Sequence, residues 1–157
     1  MKVLKFGGTS VGSAQRMKEV ASLISDGQQK IVVLSAMSGT TNTLVEIADY
    51  LYKKNPVSAN EVISQLEKKY AAVIDELYST DNFKAQATAC VKQNFELLRN
   101  FTKQNVFLLF DEKIILAQGE LMSTAMVNLY LQEIGRKSVL LPALDYMRID
   151  KNNEPDA

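Results

Sequence analysis

The stretch Lys2-Val-Leu-Lys-Phe-Gly-Gly-Thr-Ser-Val-Gly12 constrains the fold more than any other part of the chain. A short apolar run, Val3-Leu4 with Phe6 beyond it, reads as a buried strand. It halts at Gly7-Gly8, hydroxyl residues and Gly12 follow, and a helical pattern starts near Ala14. Strand, glycine turn and helix in that order let bare backbone N–H groups face an anion. Lys5 is the odd member, because an ammonium within a strand needs solvent or a negative partner. Two readings stay open. In one, Lys5 is a cation at the mouth of a phosphate pocket; in the other, the glycines only permit positive φ in a βα turn and Lys2 and Lys5 are edge-strand charges. Gly7 to Gly12 fits neither the common P-loop nor the dinucleotide fingerprint.

Ser13 is placed to cap a helix over about 14–25, with Met17, Val20, Ala21 and Ile24 on its apolar face and Asp26-Gly27 closing it. Lys30-Ile-Val-Val-Leu-Ser-Ala36 is then an almost unbroken β-branched run, the pattern of an interior parallel strand buried on both faces. Two strands joined by a helix make a βαβ unit. The second strand also ends in a polar, glycine-bearing turn, 35–42, followed by a helix over about 43–52. Ligands of open α/β sheets collect at the carboxyl ends of strands, so both loops should open on one edge. Thr41 is therefore a candidate hydroxyl donor there, although Thr40, Thr41 and Asn42 serve equally as plain helix caps.

The middle of the chain reads as helical and offers little chemistry. Ser58-Ala-Asn-Glu61 predicts a capping box for a helix reaching about Tyr78, with Val62, Leu66, Tyr70, Ala71, Ile74 and Leu77 as its seam. A further helix carries Ala87, Val91, Phe95 and Leu98, and Cys90 reads as a small buried residue. Residues 106–110 are strand-like by propensity, but a helical turn leading into 111–133 is preferred. That long helix is apolar almost all round, hence deeply buried, and Gly135 caps it. Glu120 stands out on it, since carboxylates are rarely buried without a partner. An ion pair, a bond to backbone N–H groups, or a grip on a substrate ammonium are all open. Ser138-Val-Leu-Leu-Pro142 predicts a third parallel strand, and 147–155 the first arm of a hairpin turning at Asn152-Asn153. The fold class is α/β, a mostly parallel open sheet sandwiched by helices.

Composition narrows the chemistry. The chain has 157 residues, 46% apolar and 23% charged, with 18 basic against 18 acidic side chains. It has the size and apolar content for one domain with a real core. Charge balance favours neither nucleic acid nor anionic membrane as a partner. No apolar run approaches the roughly 18 residues of a bilayer span, and the first residues lack a signal-peptide pattern, so a cytoplasmic location is expected. One cysteine excludes an intrachain disulfide or a cysteine-rich zinc site. Histidine is absent, which removes Ser-His and Cys-His nucleophiles. Lysine, carboxylates, hydroxyls, backbone dipoles or a borrowed metal ion remain, and phosphoryl transfer needs that kit.

Lys5-Phe6-Gly7-Gly8-Thr9-Ser10-Val11 resembles the opening signature of aspartate kinases, in the amino-acid kinase family. Val33-Leu-Ser-Ala-Met-Ser-Gly-Thr-Thr-Asn42 and Gln118-Gly-Glu-Leu-Met-Ser123 resemble two further motifs of that family, in the same order. The resemblance implies ATP-dependent phosphorylation of the L-aspartate side chain to 4-phospho-L-aspartate, the first step of lysine, threonine and methionine biosynthesis, with Mg2+ supporting the nucleotide. It implies that Lys5 neutralises the transferring phosphoryl group and that Gly7, Gly8, Thr9 and Ser10 lie along the ATP phosphates. It implies that Ser35 borders the site, Thr41 holds an aspartate carboxylate and Glu120 meets the amino group. Glutamate, N-acetylglutamate and carbamate kinases, or a non-catalytic anion-binding module, are the competing readings. Family members are several times longer. Residues 1–157 are therefore expected to be an N-terminal lobe without the nucleotide lobe and ACT-type regulatory domains, inactive alone and drawn from a homo-oligomeric parent.

Overall fold

A computed structural model describes residues 1–148. Two parallel strands, β1 (Lys2–Phe6) and β2 (Lys30–Leu34), pair in register from Lys2 beside Lys30 to Phe6 beside Leu34. α1 (Ala14–Ile24) connects them, so the predicted βαβ unit and the α/β class both hold. Four helices follow: α2 (Thr40–Tyr52), α3 (Pro56–Leu77), α4 (Asp81–Phe101) and α5 (Leu109–Glu133). A short α6 spans Ala143–Tyr146.

The helix starts follow from local chemistry. Ser13 accepts a bond from the Arg16 N–H, and Thr80 caps α4 by accepting from the Phe83 N–H. α3 begins two residues before the expected capping box, because Asn55 accepts from the Ser58 N–H and Pro56 takes a first-turn place where its missing N–H costs nothing. Segment 106–110 is not a strand; Asp111 accepts from the Leu108 N–H and starts α5 at Leu109. α5 stops at Gly135, whose φ of +73° allows the Gly135 and Arg136 N–H groups to satisfy the Gln132 and Leu131 carbonyls.

The core lies among α2 to α5 and beneath one face of the strand pair. Tyr70, Phe95, Leu44, Ile63 and Met126 are fully enclosed there. The α3 seam runs through Ile63 rather than Val62, and Ala71 is exposed. Cys90 is only half-buried. Among the described helices α5 alone is long and apolar enough to cross a bilayer, and half of that window is buried inside the fold.

The sheet departs from expectation in two respects. β2 is not covered on both faces: Ile31 and Val33 are 41% and 44% exposed beside Val3 at 64%, while Leu34 faces the core. The apolar run predicts two-sided burial, but one alternate set meets the helices and the other meets solvent. The predicted third strand at 138–142 does not form. The Ser138 hydroxyl donates to the Asn128 side chain on α5, tying the start of that segment to the helix instead of the sheet, and Val139 and Leu141 stay exposed. The hairpin expected from 147 onward lies, from 149, outside the described residues.

Candidate functional site

Two loops leave the carboxyl ends of the two strands and lean on each other. The Ser35 N–H donates to the Phe6 carbonyl, extending the ladder by one bond past the strands. After Gly7, residues Gly8–Val11 form a single 3₁₀ turn whose Val11 plugs into the core. None of Gly7, Gly8 or Gly12 has positive φ, so the reading of these glycines as mere turn-formers is overturned. Their role is proximity. A Cβ on Gly8 would sit 3.0 Å from the Ala36 carbonyl oxygen, and one on Gly12 would sit 2.9 Å from the Ser38 Cβ. A Cβ on Gly7 would meet nothing within 4 Å, so the backbone there looks onto open space.

α5 brings the third motif to the same place. A Cβ on Gly119 would lie 2.8 Å from the Ala36 Cβ, so only glycine lets the helix approach this closely. Glu120 Oε1 then accepts from the Ala36 N–H over a long 3.4 Å, and the Ser123 hydroxyl donates to the Ser35 carbonyl at 2.8 Å. Gln118 faces the other way, accepting from Asn94 on α4 while donating to the Ile114 carbonyl. Ala36 is thus the point where all three sequence motifs touch.

The predicted site residues divide by exposure. Lys5 points from the uncovered face of β1, opposite Val33, with no carboxylate in ion-pair range among the described residues. Lys5, Thr9, Thr41 and Glu120 are exposed, whereas Gly7, Gly8, Ser10 and Ser35 are partly covered. Glu120 was expected in buried surroundings. It instead sits on the one side of α5 that solvent reaches, beside a buried Gly119, and takes the backbone-N–H option among those left open. Thr41 is not a cap: α2 starts at Thr40, and Gly39, at φ +79°, takes the cap position with no side chain to offer. The Met37 carbonyl takes the Thr40 N–H, and no side chain caps the N–H groups of Thr41 and Asn42, which face outward for an acceptor.

Sequence reasoning missed three side chains that shape this place. In the sequence Ser123 is one letter of a motif, Tyr70 is part of a packing seam, and nothing marks Lys69. Tyr70 lies in a helical seam like any core aromatic, so its spacing carried no polar signal. Its hydroxyl contacts Thr40 Oγ1 at 3.2 Å, and Lys69 Nζ donates to the Ser38 carbonyl at 2.7 Å. Burial pushes the Tyr70 phenol up to about 12, against a smaller opposite effect of the Thr40 bond. A cavity of about 390 Å³ lined by Leu51, Tyr52, Phe101 and Phe107 lies at the opposite end of α2 and contains none of the predicted site residues.

Known proteins resemble this arrangement. Aspartokinase 2, chloroplastic, of Arabidopsis thaliana is 32% identical over 144 residues, which is 87% of this chain and 25% of that protein. Aspartate kinase of Pseudomonas fluorescens is 52% identical over 50 residues, 29% of this chain and 12% of that protein. The solved structure of E. coli aspartokinase III in complex with aspartate and ADP superposes with a TM-score of 0.81 at 26% identity, over 99% of this chain and 35% of that one. The same enzyme with lysine and aspartate gives 0.82. This chain therefore spans about a quarter of the Arabidopsis protein and about a third of the E. coli one. The sequence model described as the amino acid kinase family matches residues 1–156, and the chain belongs to that family.

Proposed function

We propose that this chain is the N-terminal, acceptor-side part of an aspartate kinase, and that it takes part in ATP-dependent phosphorylation of the L-aspartate side chain. The observation that carries the reading is the meeting of Gly8, Ser35-Ala36 and Gly119-Glu120 around Ala36. Those contacts join the three motifs that resemble aspartate kinases, in a chain similar to proteins solved with aspartate and ADP.

In this reading one oxygen of the substrate's β-carboxylate bonds to the γ-phosphorus of ATP as the bond to the bridging oxygen breaks, and ADP leaves. The carboxylate is already ionised at neutral pH, so no histidine or other base is needed. Lys5, with no carboxylate in ion-pair range among the described residues, places its charge against the transferring phosphoryl group. The open backbone at Gly7, with Gly8, Thr9 and Ser10, lies along the phosphates. Glu120 takes the substrate ammonium, giving up only a long bond to Ala36. Thr41 donates to a substrate carboxylate, helped by the N-terminal dipole of α2, and Ser35 borders the pocket. Among the described residues no three of His, Cys, Asp and Glu come together. Magnesium would be carried on the nucleotide phosphates and would supply charge neutralisation there.

Residues 1–157 alone are expected to bind aspartate and to turn over poorly. Calorimetric titration of the chain with L-aspartate and with L-glutamate tests the first point. Glu120→Ala should weaken aspartate about tenfold or more, the scale of losing a charge-assisted bond. Equal affinity for glutamate, or phosphate binding with no response to aspartate, would overturn the reading. ADP release at the rate of a complete aspartokinase would refute the claim of poor turnover.

A further inference from the structure

The loop 35–41 carries Ala36 and Thr41, and the carbonyls of Ser35, Met37, Ser38 and Gly39 in it all accept hydrogen bonds. α5 holds its first part through Ser123 on the Ser35 carbonyl and Glu120 on the Ala36 N–H. The Met37 carbonyl accepts from the Thr40 N–H, and the Gly39 carbonyl accepts from both the N–H and the hydroxyl of Thr43. The remainder is held by α3. Lys69 donates to the Ser38 carbonyl, and Tyr70, the next residue, meets the Thr40 hydroxyl. Those two contacts lie on either side of Gly39, the one residue of the loop in the left-handed region and so its natural swivel.

Tyr70 and Thr40 are both fully buried, and a Phe against a Val would fill similar space with no polar group to desolvate. A buried polar pair restricts orientation in a way that apolar packing does not. Tyr70 is itself braced edge-to-face against Phe95 of α4, ring centres 5.6 Å apart. Its hydroxyl keeps its proton at any ordinary pH, since burial raises its ionisation to about 12.

We propose that Tyr70 and Lys69 are positioning residues: from α3 they lock the loop on both sides of Gly39 and so fix the pose in which Thr41 and the α2 N-terminus meet the acceptor carboxylate. The ligand half of this statement rests on the proposed aspartate kinase reading; the loop half does not. Preorganisation of this kind lowers the ordering cost of binding.

The test compares Tyr70→Phe, Thr40→Val, Thr40→Ser and Lys69→Met in the 157-residue chain. Amide hydrogen exchange is followed at 38–43 and at 87–98 in α4, with an L-aspartate titration on each variant. Tyr70→Phe, Thr40→Val and Lys69→Met should speed exchange at 38–43 about fivefold or more beyond any change in α4, because local opening is selectively favoured. Thr40→Ser, which keeps the hydroxyl, should restore the original rates. The aspartate dissociation constant should rise about tenfold in Tyr70→Phe and Lys69→Met, the scale of a lost preorganised contact. Equal acceleration in both segments would mean a merely stabilising role and would overturn the proposal. Should Tyr70→Phe fail to fold, Lys69→Met, at an exposed residue, decides by the same comparison. A wild-type chain that ignores aspartate while its loop responds to these changes sinks the aspartate reading and the ligand half together, and leaves the loop lock standing.

Discussion

At the scale of single residues, polar atoms enclosed in apolar surroundings have the largest measurable consequences. The Tyr70 phenol ionises near 10 when exposed and at about 12 in the fold, chiefly through desolvation, so the folded state favours its neutral form. A group whose folded value is raised contributes stability below its unfolded value and loses it as pH rises through the folded one. Stability should therefore hold up to about pH 10 and fall between about 10 and 12, Tyr70 accounting for at most about 2–3 kcal/mol of the drop. The Tyr78 phenol, also raised by burial, adds to the same slope. Urea midpoints measured from pH 8 to 11.5 should decline less steeply in Tyr70→Phe than in the wild type. Identical slopes would show that the ring is not desolvated as described.

At the scale of elements, the fold is tied across helix ends by side chains distant in sequence. Glu133, in the last turn of α5, accepts from the Ser79 and Thr80 N–H groups and from the Thr80 hydroxyl at 2.8 to 3.2 Å. It thereby serves the orphan donors at the start of α4 and places a negative charge where the helix dipole favours one. Glu133→Ala should cost about 1–2 kcal/mol, as removal of a helix cap does. Chemical denaturation of the two chains measures it, and an unchanged midpoint would mean solvent substitutes freely. Cap chemistry was legible in sequence when the partners were near: Ser13 and Gly135 do what their positions suggest. It was illegible when the partner lay some fifty residues away, as with Glu133.

At the scale of the whole molecule, the uncovered sheet face is the most consequential feature. Val3, Ile31 and Val33 present apolar surface side by side around Lys5, and β-strand surface of this kind promotes association. Light scattering should show mass rising with protein concentration, and Val33→Lys, which puts a second charge beside Lys5, should suppress it. A concentration-independent monomer would show that this face is not sticky. Lys5 lies on the same face, with no carboxylate in ion-pair range among the described residues, so solubility and the proposed phosphate contact depend on one surface.

Periodicity and cap chemistry are local, and they were enough for the chain to declare a strand-helix-strand start and four long helices, with the bounds of α2, α3 and α5 close to the true ones; the three motifs were legible through their resemblance to aspartate kinases. Burial and pairing depend on what lies opposite, and only the tertiary structure could decide them. The apolar run of β2 could not reveal that one of its faces lacks a cover, nor could 138–142 reveal that Asn128 would hold it from the sheet. The glycines of the site were visible as letters, but their reason was not. Gly8 and Gly119 are needed because Ala36 lies within van der Waals reach of both, a proximity that exists only once β2 and α5 have packed.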